Sequence, residues 1–318
     1  MIAHPATFTA IRALSAWLAL AAAGTVGALL GWSGGDDGAE AAPWTSAQPM
    51  SQRRSYLAAA EVRGRIYTAG GMVGETGRHL ATSTRFDPAR NEWATLEPLP
   101  EPVRAAAAAA VGGTVFVLGG TTPAGGGSQV YAYDVDSATW GRRAPLPARR
   151  FNHAAVTLRN RVFVLGGFSR GTEHRDVFVY EPGGDRWSRA APLPRRLHAF
   201  GAVAFRGEIW VLGGRRGERV LREVWIYDPG QDRWRAGPTM PRPMELLGAA
   251  VAGEEIHAVW ESTYQIYDAR TDRWRQGPRP LVTRHALQAF SVAGDLYTIG
   301  GCTTALRDSP VVERRAVS

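Results

Sequence analysis

The repeating unit that specifies the fold is most complete at residues 207–241. It reads GEIWVLGG at 207–214, VWIYDP at 224–229, DRW at 232–234 and MP at 240–241. Short β-branched and aromatic runs bounded by glycine, proline and aspartate are typical of β-strands and their turns. A unit that recurs at a fixed period indicates a repeat architecture, in which each copy is one supersecondary element.

Five other passages match this unit. We call the first apolar residue of each strand that ends in a glycine pair an anchor; the anchors are Ile66, Val115, Val162, Ile209, Ile256 and Leu296. The copy that begins at Ile256 is degenerate, with Trp260 and Glu261 in place of the glycines. Each unit also carries one tryptophan, at Trp44, Trp93, Trp140, Trp187, Trp234 and Trp274. Each tryptophan precedes the next anchor by 22 residues in all six cases, which establishes six copies.

The joint pattern resembles the kelch repeat, which is marked by a strand ending in Gly-Gly, a later Tyr-Asp, and a Trp six or seven residues after that. The Tyr-Asp mark stands at Phe86-Asp87, Tyr133-Asp134, Tyr180-Glu181, Tyr227-Asp228 and Tyr267-Asp268. The resemblance covers about residues 44–314 and implies four antiparallel strands per unit, arranged as blades around a central channel. The predicted fold class is therefore all-β, a six-bladed kelch-type β-propeller over residues 43–318.

The two ends of the repeat region complement each other. The last unit continues to a third strand at 311–314, but the chain stops at Ser318 with no further tryptophan. Trp44 is a spare outer strand at the other end, with the regular step to Ile66. Pairing the two would cover two exposed sheet edges, so we expect the N-terminal strand to close the last blade.

Composition and charge limit the classes of function that the chain can have. The 37 basic residues are all arginine, against 29 acidic residues, which gives a formal net charge of +8. This charge favours acidic partners, but there is no run of five or six basic residues and no candidate recognition helix, so nucleic acid is not expected. With Cys302 as the one cysteine, no intramolecular disulfide can form, and the seven histidines show no metal-ligand spacing. We predict neither a metal site nor a cofactor.

The first part of the chain predicts export. Residues Ala13–Leu30 run for 18 residues without a charge, with Arg12 before them and Asp36 and Asp37 after. We therefore expect an apolar helix at 1–32 that acts as a signal peptide or membrane anchor, and a Gly- and Asp-rich linker at 33–42. Whether the segment is cleaved stays open. The propeller is predicted to lie in the periplasm or outside the cell, to touch the membrane only through this segment, and to be a monomer.

Candidate binding residues lie in the loops before the first strand of each blade, because the strands themselves are committed to packing. Eleven to thirteen residues before the anchors stand Arg54, Arg104, Arg150, Arg196, His198, Glu245, Arg284 and His285. Five arginines that converge on the mouth of the channel would suit a carboxylate, a sulfate or an acidic peptide. In the alternative, each arginine bonds loop carbonyls as a feature of the repeat. Glu245 is either an ion-pair partner or a general base.

Two functions follow from these expectations. The first is a non-catalytic binding module outside the cytoplasm that recognises a protein segment, or an acidic small molecule or glycan, at the propeller face. The second is a sugar mutarotase or epimerase that acts on an acidic sugar such as N-acetylneuraminate, by resemblance to secreted bacterial kelch proteins. Glu245, His198, His285 and the arginines would be its parts, but no motif carries over residue by residue. We predict no catalytic residues under the first hypothesis, which is the preferred one.

Overall fold

The computed structural model describes residues 43–303 and 307–317. Apart from one short 3-10 turn at Pro182–Gly184, the regular elements in these residues are all β-strands. They form six four-stranded antiparallel sheets, which are the blades, and three two-stranded ribbons. The predicted six-bladed β-propeller is confirmed. The predicted apolar helix at 1–32 lies outside the described residues, and within them no helix has the length and apolarity needed to cross a membrane.

The strands follow the repeat in order, and each blade is one sheet in which its four longer strands run outward from the axis. In chain order the strands are β1 (Thr45–Ala47) of blade VI; β2 (Ala58–Val62), β3 (Arg65–Ala69), β4 (Met72–Val73), β5 (Arg78–His79), β6 (Ser83–Asp87) and β7 (Glu92–Leu96) of blade I; β8 (Ala107–Val111), β9 (Thr114–Leu118), β10 (Val130–Asp134) and β11 (Thr139–Arg142) of blade II; β12 (Ala154–Leu158), β13 (Arg161–Leu165), β14 (Phe168–Ser169), β15 (Thr172–Glu173), β16 (Val177–Glu181) and β17 (Arg186–Ala190) of blade III; β18 (Gly201–Phe205), β19 (Glu208–Leu212), β20 (Arg215–Arg216), β21 (Arg219–Val220), β22 (Val224–Asp228) and β23 (Arg233–Ala236) of blade IV; β24 (Gly248–Ala252), β25 (Glu255–Trp260), β26 (Thr263–Asp268) and β27 (Arg273–Gln276) of blade V; and β28 (Gln288–Val292), β29 (Asp295–Ile299) and β30 (Val312–Ala316) of blade VI. The ribbons are β4–β5, β14–β15 and β20–β21.

The first strands of the blades line the axis and contact one another in a closed circle. Just before these strands, backbone hydrogen bonds run from blade to blade: Ala105 N–H donates to the Tyr56 carbonyl at 2.9 Å, and Asn152 N–H donates to the Ala105 carbonyl at 3.0 Å. The same bond is formed by Ala199, Leu246 and Ala286. These residues have φ between 47° and 57°, a conformation that is unfavourable for side-chain-bearing residues. The bonds between blades hold them there.

The tryptophan of each unit joins its blade to the preceding one. Its indole Nε1–H donates to a backbone carbonyl of the previous blade at 2.7–2.9 Å in all six units. The ring therefore adds both apolar area and a directed bond to each interface between blades. This explains the constant position of tryptophan in the repeat.

The glycine pairs mark close contacts between backbones, as the sequence predicts. A Cβ atom at Gly71 would lie 2.7 Å from the Ser55 carbonyl oxygen. The Gly71 N–H also donates to the Val103 carbonyl of the next blade at 2.8 Å. In blade V, Glu261 takes the place of the second glycine with φ of 51° and donates the same bond to Arg284.

The ring is closed by the N-terminal strand. β1 pairs with β30 in antiparallel register, with Thr45 opposite Arg314 and Ala47 opposite Val312. Trp44 is buried and donates from Nε1 to the Pro278 carbonyl of blade V at 2.9 Å. The predicted closure of the last blade is therefore confirmed.

Candidate functional site at the channel mouth

The predicted site residues occupy three successive positions of the repeat, and the structure separates them. We call the position eleven residues before each anchor the rim position; it holds Ser55, Arg104, Phe151, His198, Glu245 and His285. The next two residues in each blade line a cavity of about 80 Å³ on the axis. The rim residues therefore stand at its entrance, which we call the mouth.

One residue earlier in the repeat, every side chain is buried. This position holds Arg54, Val103, Arg150, Leu197, Met244 and Arg284. Arg54 donates to the Gly70 and Thr82 carbonyls at 3.0 and 2.7 Å. Burial lowers the pKa of Arg54 to about 10, so it stays charged at neutral pH.

The other two buried arginines bind their own blades in the same way. Arg150 donates to the Gly166 carbonyl at 2.8 Å, and Arg284 donates to the Gly300 carbonyl at 2.6 Å. The expectation that five arginines converge on the mouth does not hold for Arg54, Arg150 and Arg284, because their guanidinium groups face the strand ends inside the blade. They donate hydrogen bonds to backbone carbonyls, as the alternative interpretation of the sequence predicted.

Arg196 lies two residues before the rim position and is exposed. Its Nη1 donates to the Glu173 carbonyl at 2.9 Å, and it lines a cleft between blades III and IV rather than the mouth. Of the predicted site residues, the structure therefore brings Arg104, His198, Glu245 and His285 together at the rim. The sequence prediction merged three repeat positions that point in different directions.

The residue that follows each glycine pair forms a β-bridge with a rim residue. It was not among the predicted site residues. These residues are Met72, Thr121, Phe168, Arg215 and Cys302, which form β-bridges with Ser55, Arg104, Phe151, His198 and His285 respectively. The signal was present, because they stand at a fixed step after the glycines. They supply most of the side chains that the rim residues contact.

Two charged groups of the mouth differ in their partners: Glu245 is paired with a cation, whereas Arg104 bonds uncharged groups. Both carboxylate oxygens of Glu245 accept from Arg215 Nη1, at 2.8 and 3.1 Å. Arg104 donates from Nε to Thr121 Oγ1 at 3.2 Å and from Nη1 to Met72 Sδ at 3.1 Å. No carboxylate lies within ion-pair distance of Arg104 among the residues that the structure describes.

A second carboxylate, that of Glu173, lies 3.3 Å from His198 Nδ1, and the imidazoles and the thiol of the mouth are neutral. Burial lowers the pKa of both His198 and His285, so both imidazoles are uncharged at pH 7. Cys302 Sγ lies 3.2 Å from His285 Nε2, and burial raises the pKa of this thiol to about 11. A thiol with so high a pKa is a poor nucleophile. The Tyr56 hydroxyl, close to Arg104 and Glu245, has its pKa raised to about 12, mainly by burial.

The arrangement of these groups is suited to binding. The Glu245 carboxylate is engaged by Arg215, the thiol is protonated, and the described residues contain no cluster of His, Cys, Asp and Glu that could hold a metal ion. What the mouth presents is one guanidinium with spare N–H groups, neutral donors, and two phenylalanine rings, Phe151 and Phe168, packed edge to face with centroids 5.5 Å apart. Such surfaces suit recognition of another molecule.

The axial cavity contains a histidine that should make stability depend on pH. Burial, followed by the neighbouring Arg150, lowers the pKa of His153 to about 3. Below pH 6.5 the unfolded chain binds a proton that the folded protein excludes, so stability falls as the pH drops from 6.5 towards 3. Leucine fills the equivalent position at Leu57, Leu247 and Leu287. Between pH 6.5 and 5 the free energy of unfolding should fall by about 2 kcal/mol less in His153→Leu than in the wild type.

Urea unfolding at pH 7, 6 and 5 measures this difference. His79→Gln is the control, because His79 is only partly buried and should change the pH dependence less. Parallel stability curves for His153→Leu and wild type would show that His153 is protonated inside the fold.

Comparison with known proteins agrees with this geometry. The family model described as the KLHDC2/KLHL20/DRC7 Kelch-repeats domain matches residues 56–259. Kelch-like protein 35 of Homo sapiens is 35% identical over 82 residues, which are 26% of this chain and 14% of that protein. Beta-scruin of Limulus polyphemus is 33% identical over 85 residues, which are 27% of this chain and 9% of that protein. The chain thus spans a small part of each relative. Since the family model covers more than half of the chain, the protein belongs to the kelch-repeat domain family.

Proposed function

We propose that this propeller is a non-catalytic protein-binding module, and that its mouth receives an acidic side chain of a partner segment. The observation that carries the proposal is Arg104, a guanidinium at the rim with no carboxylate partner among the described residues. Arg215, the other cation beside the rim, is neutralised by Glu245. The ligand should therefore bring a single carboxylate to Arg104 rather than a polyanion.

The surroundings of Arg104 support a protein ligand. Phe151 and Phe168 offer an apolar surface beside the polar rim, and the Phe168 ring also lies 5.2 Å from the His198 ring. Interfaces between proteins are enriched in aromatic residues and arginine, with polar groups around them. The proposal extends to this chain the protein binding that is common among kelch domains.

The sugar epimerase alternative finds no support in the described residues. A general base must have a carboxylate that is available for the proton it removes, but both oxygens of Glu245 accept from Arg215. Of the two imidazoles, His198 Nδ1 lies 3.3 Å from Glu173 Oε1, which also accepts the Gly217 N–H, and His285 Nε2 lies 3.2 Å from the Cys302 thiol.

We also propose that the propeller is displayed outside the cytoplasmic membrane. The support is the uncharged run Ala13–Leu30, preceded by Arg12 and followed by acidic residues. Protease digestion of intact cells tests this, since a propeller that survives until the cells are opened would place it inside.

Arg104→Gln should weaken the binding of acidic peptides about 10- to 100-fold, because a charge-assisted hydrogen bond contributes about 1.5–3 kcal/mol. The probe is an array of Asp- and Glu-containing peptides in which each peptide is paired with its Asn or Gln analogue. Peptides that bind the wild type are then titrated by calorimetry against the variant. Arg233→Gln, which removes an exposed charge on an outer strand, is the matched control and should have no effect.

Two results would contradict the proposal. One is equal binding of the acidic peptides and their amide analogues. The other is equal loss of affinity in Arg104→Gln and Arg233→Gln, which would indicate a general attraction to the net positive charge rather than a site at the mouth.

A further inference from the structure

A second cleft lies between blades III and IV, outside the channel mouth. It has a volume of about 500 Å³ and is lined by Arg175, Pro194, Arg195, Arg196, Arg216 and Trp225. Trp225 belongs to β22, the third strand of blade IV, so the cleft is farther from the axis than the rim. The loop between the two blades supplies Pro194, Arg195 and Arg196, and the ribbon β20–β21 supplies Arg216.

The positive charge in this cleft is largely uncompensated. Arg195 pairs with Glu223 at 3.2 Å, and the same carboxylate accepts from Trp225 Nε1 at 3.3 Å. Within the described part of the chain, Arg175, Arg196 and Arg216 have no carboxylate at ion-pair distance. Four guanidinium groups thus share one cleft with one carboxylate. All four side chains are exposed, so solvent screens their repulsion and the guanidinium groups are accessible to a bound anion.

This positive charge is not a requirement of the repeat, because the equivalent positions of the other blades hold other residues. The pair Arg195-Arg196 is replaced there by Gln52-Arg53, Glu101-Pro102, Ala148-Arg149, Arg242-Pro243 and Val282-Thr283. In blade II the residue equivalent to Trp225 is Tyr131, whose hydroxyl donates to Glu101 at 2.6 Å. In blade II the aromatic side chain at this location is therefore paired with a carboxylate. In blade IV the same location combines an indole with an excess of arginine.

The chemistry of the lining points to one class of ligand. Arginine offers paired N–H donors that match the oxygens of phosphate and sulfate, and several arginines favour a tetrahedral anion over a single carboxylate. Trp225 and Pro194 add an apolar wall, and indole is a good surface for a flat ring. The volume is in the range of small-ligand pockets.

We propose that this cleft binds an aryl phosphate or aryl sulfate monoester, with the ring against Trp225 and the tetrahedral anion held by Arg175, Arg196 and Arg216. Both esters share the tetrahedral anion and the aromatic ring, so either one meets the demands of the site. The site is separate from the mouth and does not depend on Arg104.

Calorimetric titration of the whole chain with phenyl phosphate, phenyl sulfate and methyl phosphate tests the proposal. We expect phenyl phosphate or phenyl sulfate to bind and methyl phosphate to bind at least fivefold more weakly, because it lacks the ring. The double variant Arg175→Gln/Arg196→Gln should weaken binding of the aryl ester more than tenfold. Arg233→Gln/Arg273→Gln removes the same charge from exposed positions on outer strands and should change the affinity less than twofold.

The ester that binds more tightly identifies the source of the anion, phosphate or sulfate. Absence of binding by both aryl esters at millimolar concentration would overturn the proposal, as would equal losses in the two double variants. Equal affinity for methyl phosphate and phenyl phosphate would overturn the contact with Trp225. An unchanged affinity in Arg104→Gln is expected and separates this cleft from the mouth.

Discussion

Trp44→Ala should lower the free energy of unfolding by about 3–5 kcal/mol, the usual cost of truncating a buried tryptophan. Trp44 is 4% exposed, packs edge-on against Tyr264 with ring centroids 5.4 Å apart, and donates to the Pro278 carbonyl. The variant removes these contacts from the three-residue strand β1, which alone covers the edge of β30. We therefore expect the ring to open at blade VI, and urea unfolding measures the loss.

Hydrogen exchange locates the effect. In Trp44→Ala, the amides of Val312–Ala316 should exchange faster, because β30 loses its outer neighbour. Trp234→Ala is the matched control: Trp234 makes the same Nε1 bond, to Ala191 at 2.8 Å, but its strand β23 directly follows β22 of the same blade, whereas β1 is held to its blade by pairing with β30. The control should leave exchange in β30 unchanged. If β30 stays protected in Trp44→Ala, the closing strand does not depend on this side chain.

Arg284→Met should be destabilised by about 3–5 kcal/mol, because it leaves a buried carboxylate without its cation. Arg284 and Glu313 are 0% and 1% exposed and form an ion pair, and Arg284 also donates to Thr298 Oγ1 at 2.8 Å. Glu313 accepts the Val282 N–H at 2.9 Å. Urea unfolding at pH 7 measures the loss.

Blade V provides the compensating change. There Met244 and Gln265 occupy the positions of Arg284 and Glu313, and Gln265 Oε1 accepts the Arg242 N–H at 2.9 Å just as Glu313 accepts that of Val282. We expect Arg284→Met/Glu313→Gln to recover more than half of the lost stability, since no charge remains buried and the bond to Val282 is kept. A double variant as unstable as Arg284→Met would show that packing around the guanidinium, rather than charge, stabilises this blade.

The sequence predicted the fold in detail because the repeat carries redundant information. The constant step of 22 residues from tryptophan to anchor reflects the path from the outer strand of one blade to the second strand of the next, and Trp44 obeys it at the junction. Six copies of one spacing constrain the architecture far more than any single strand. Because the glycine pair recurs, the sequence also predicted that backbones approach closely there. Even Glu261, which replaces a glycine, adopts a positive φ.

The direction of individual side chains could not be predicted from spacing. Arg54, Arg104 and Arg196 lie within three successive repeat positions, yet the first is buried, the second stands at the rim, and the third lies in a lateral cleft. Consecutive side chains of an extended segment point to opposite sides, and the positive φ at the residue after the rim turns the backbone again. Which residues meet there depends on backbone geometry that the spacing does not encode.

The number of blades, the strand order and the closure of the ring were predictable from the sequence, because these follow from periodic local patterns that each copy repeats. Which arginines are internal and which are available to a ligand became apparent only in the folded protein. That distinction depends on the burial of each guanidinium and on carbonyls and carboxylates distant in the sequence, such as Glu245 for Arg215 and Glu313 for Arg284. Contacts of this kind form only when the blades are assembled.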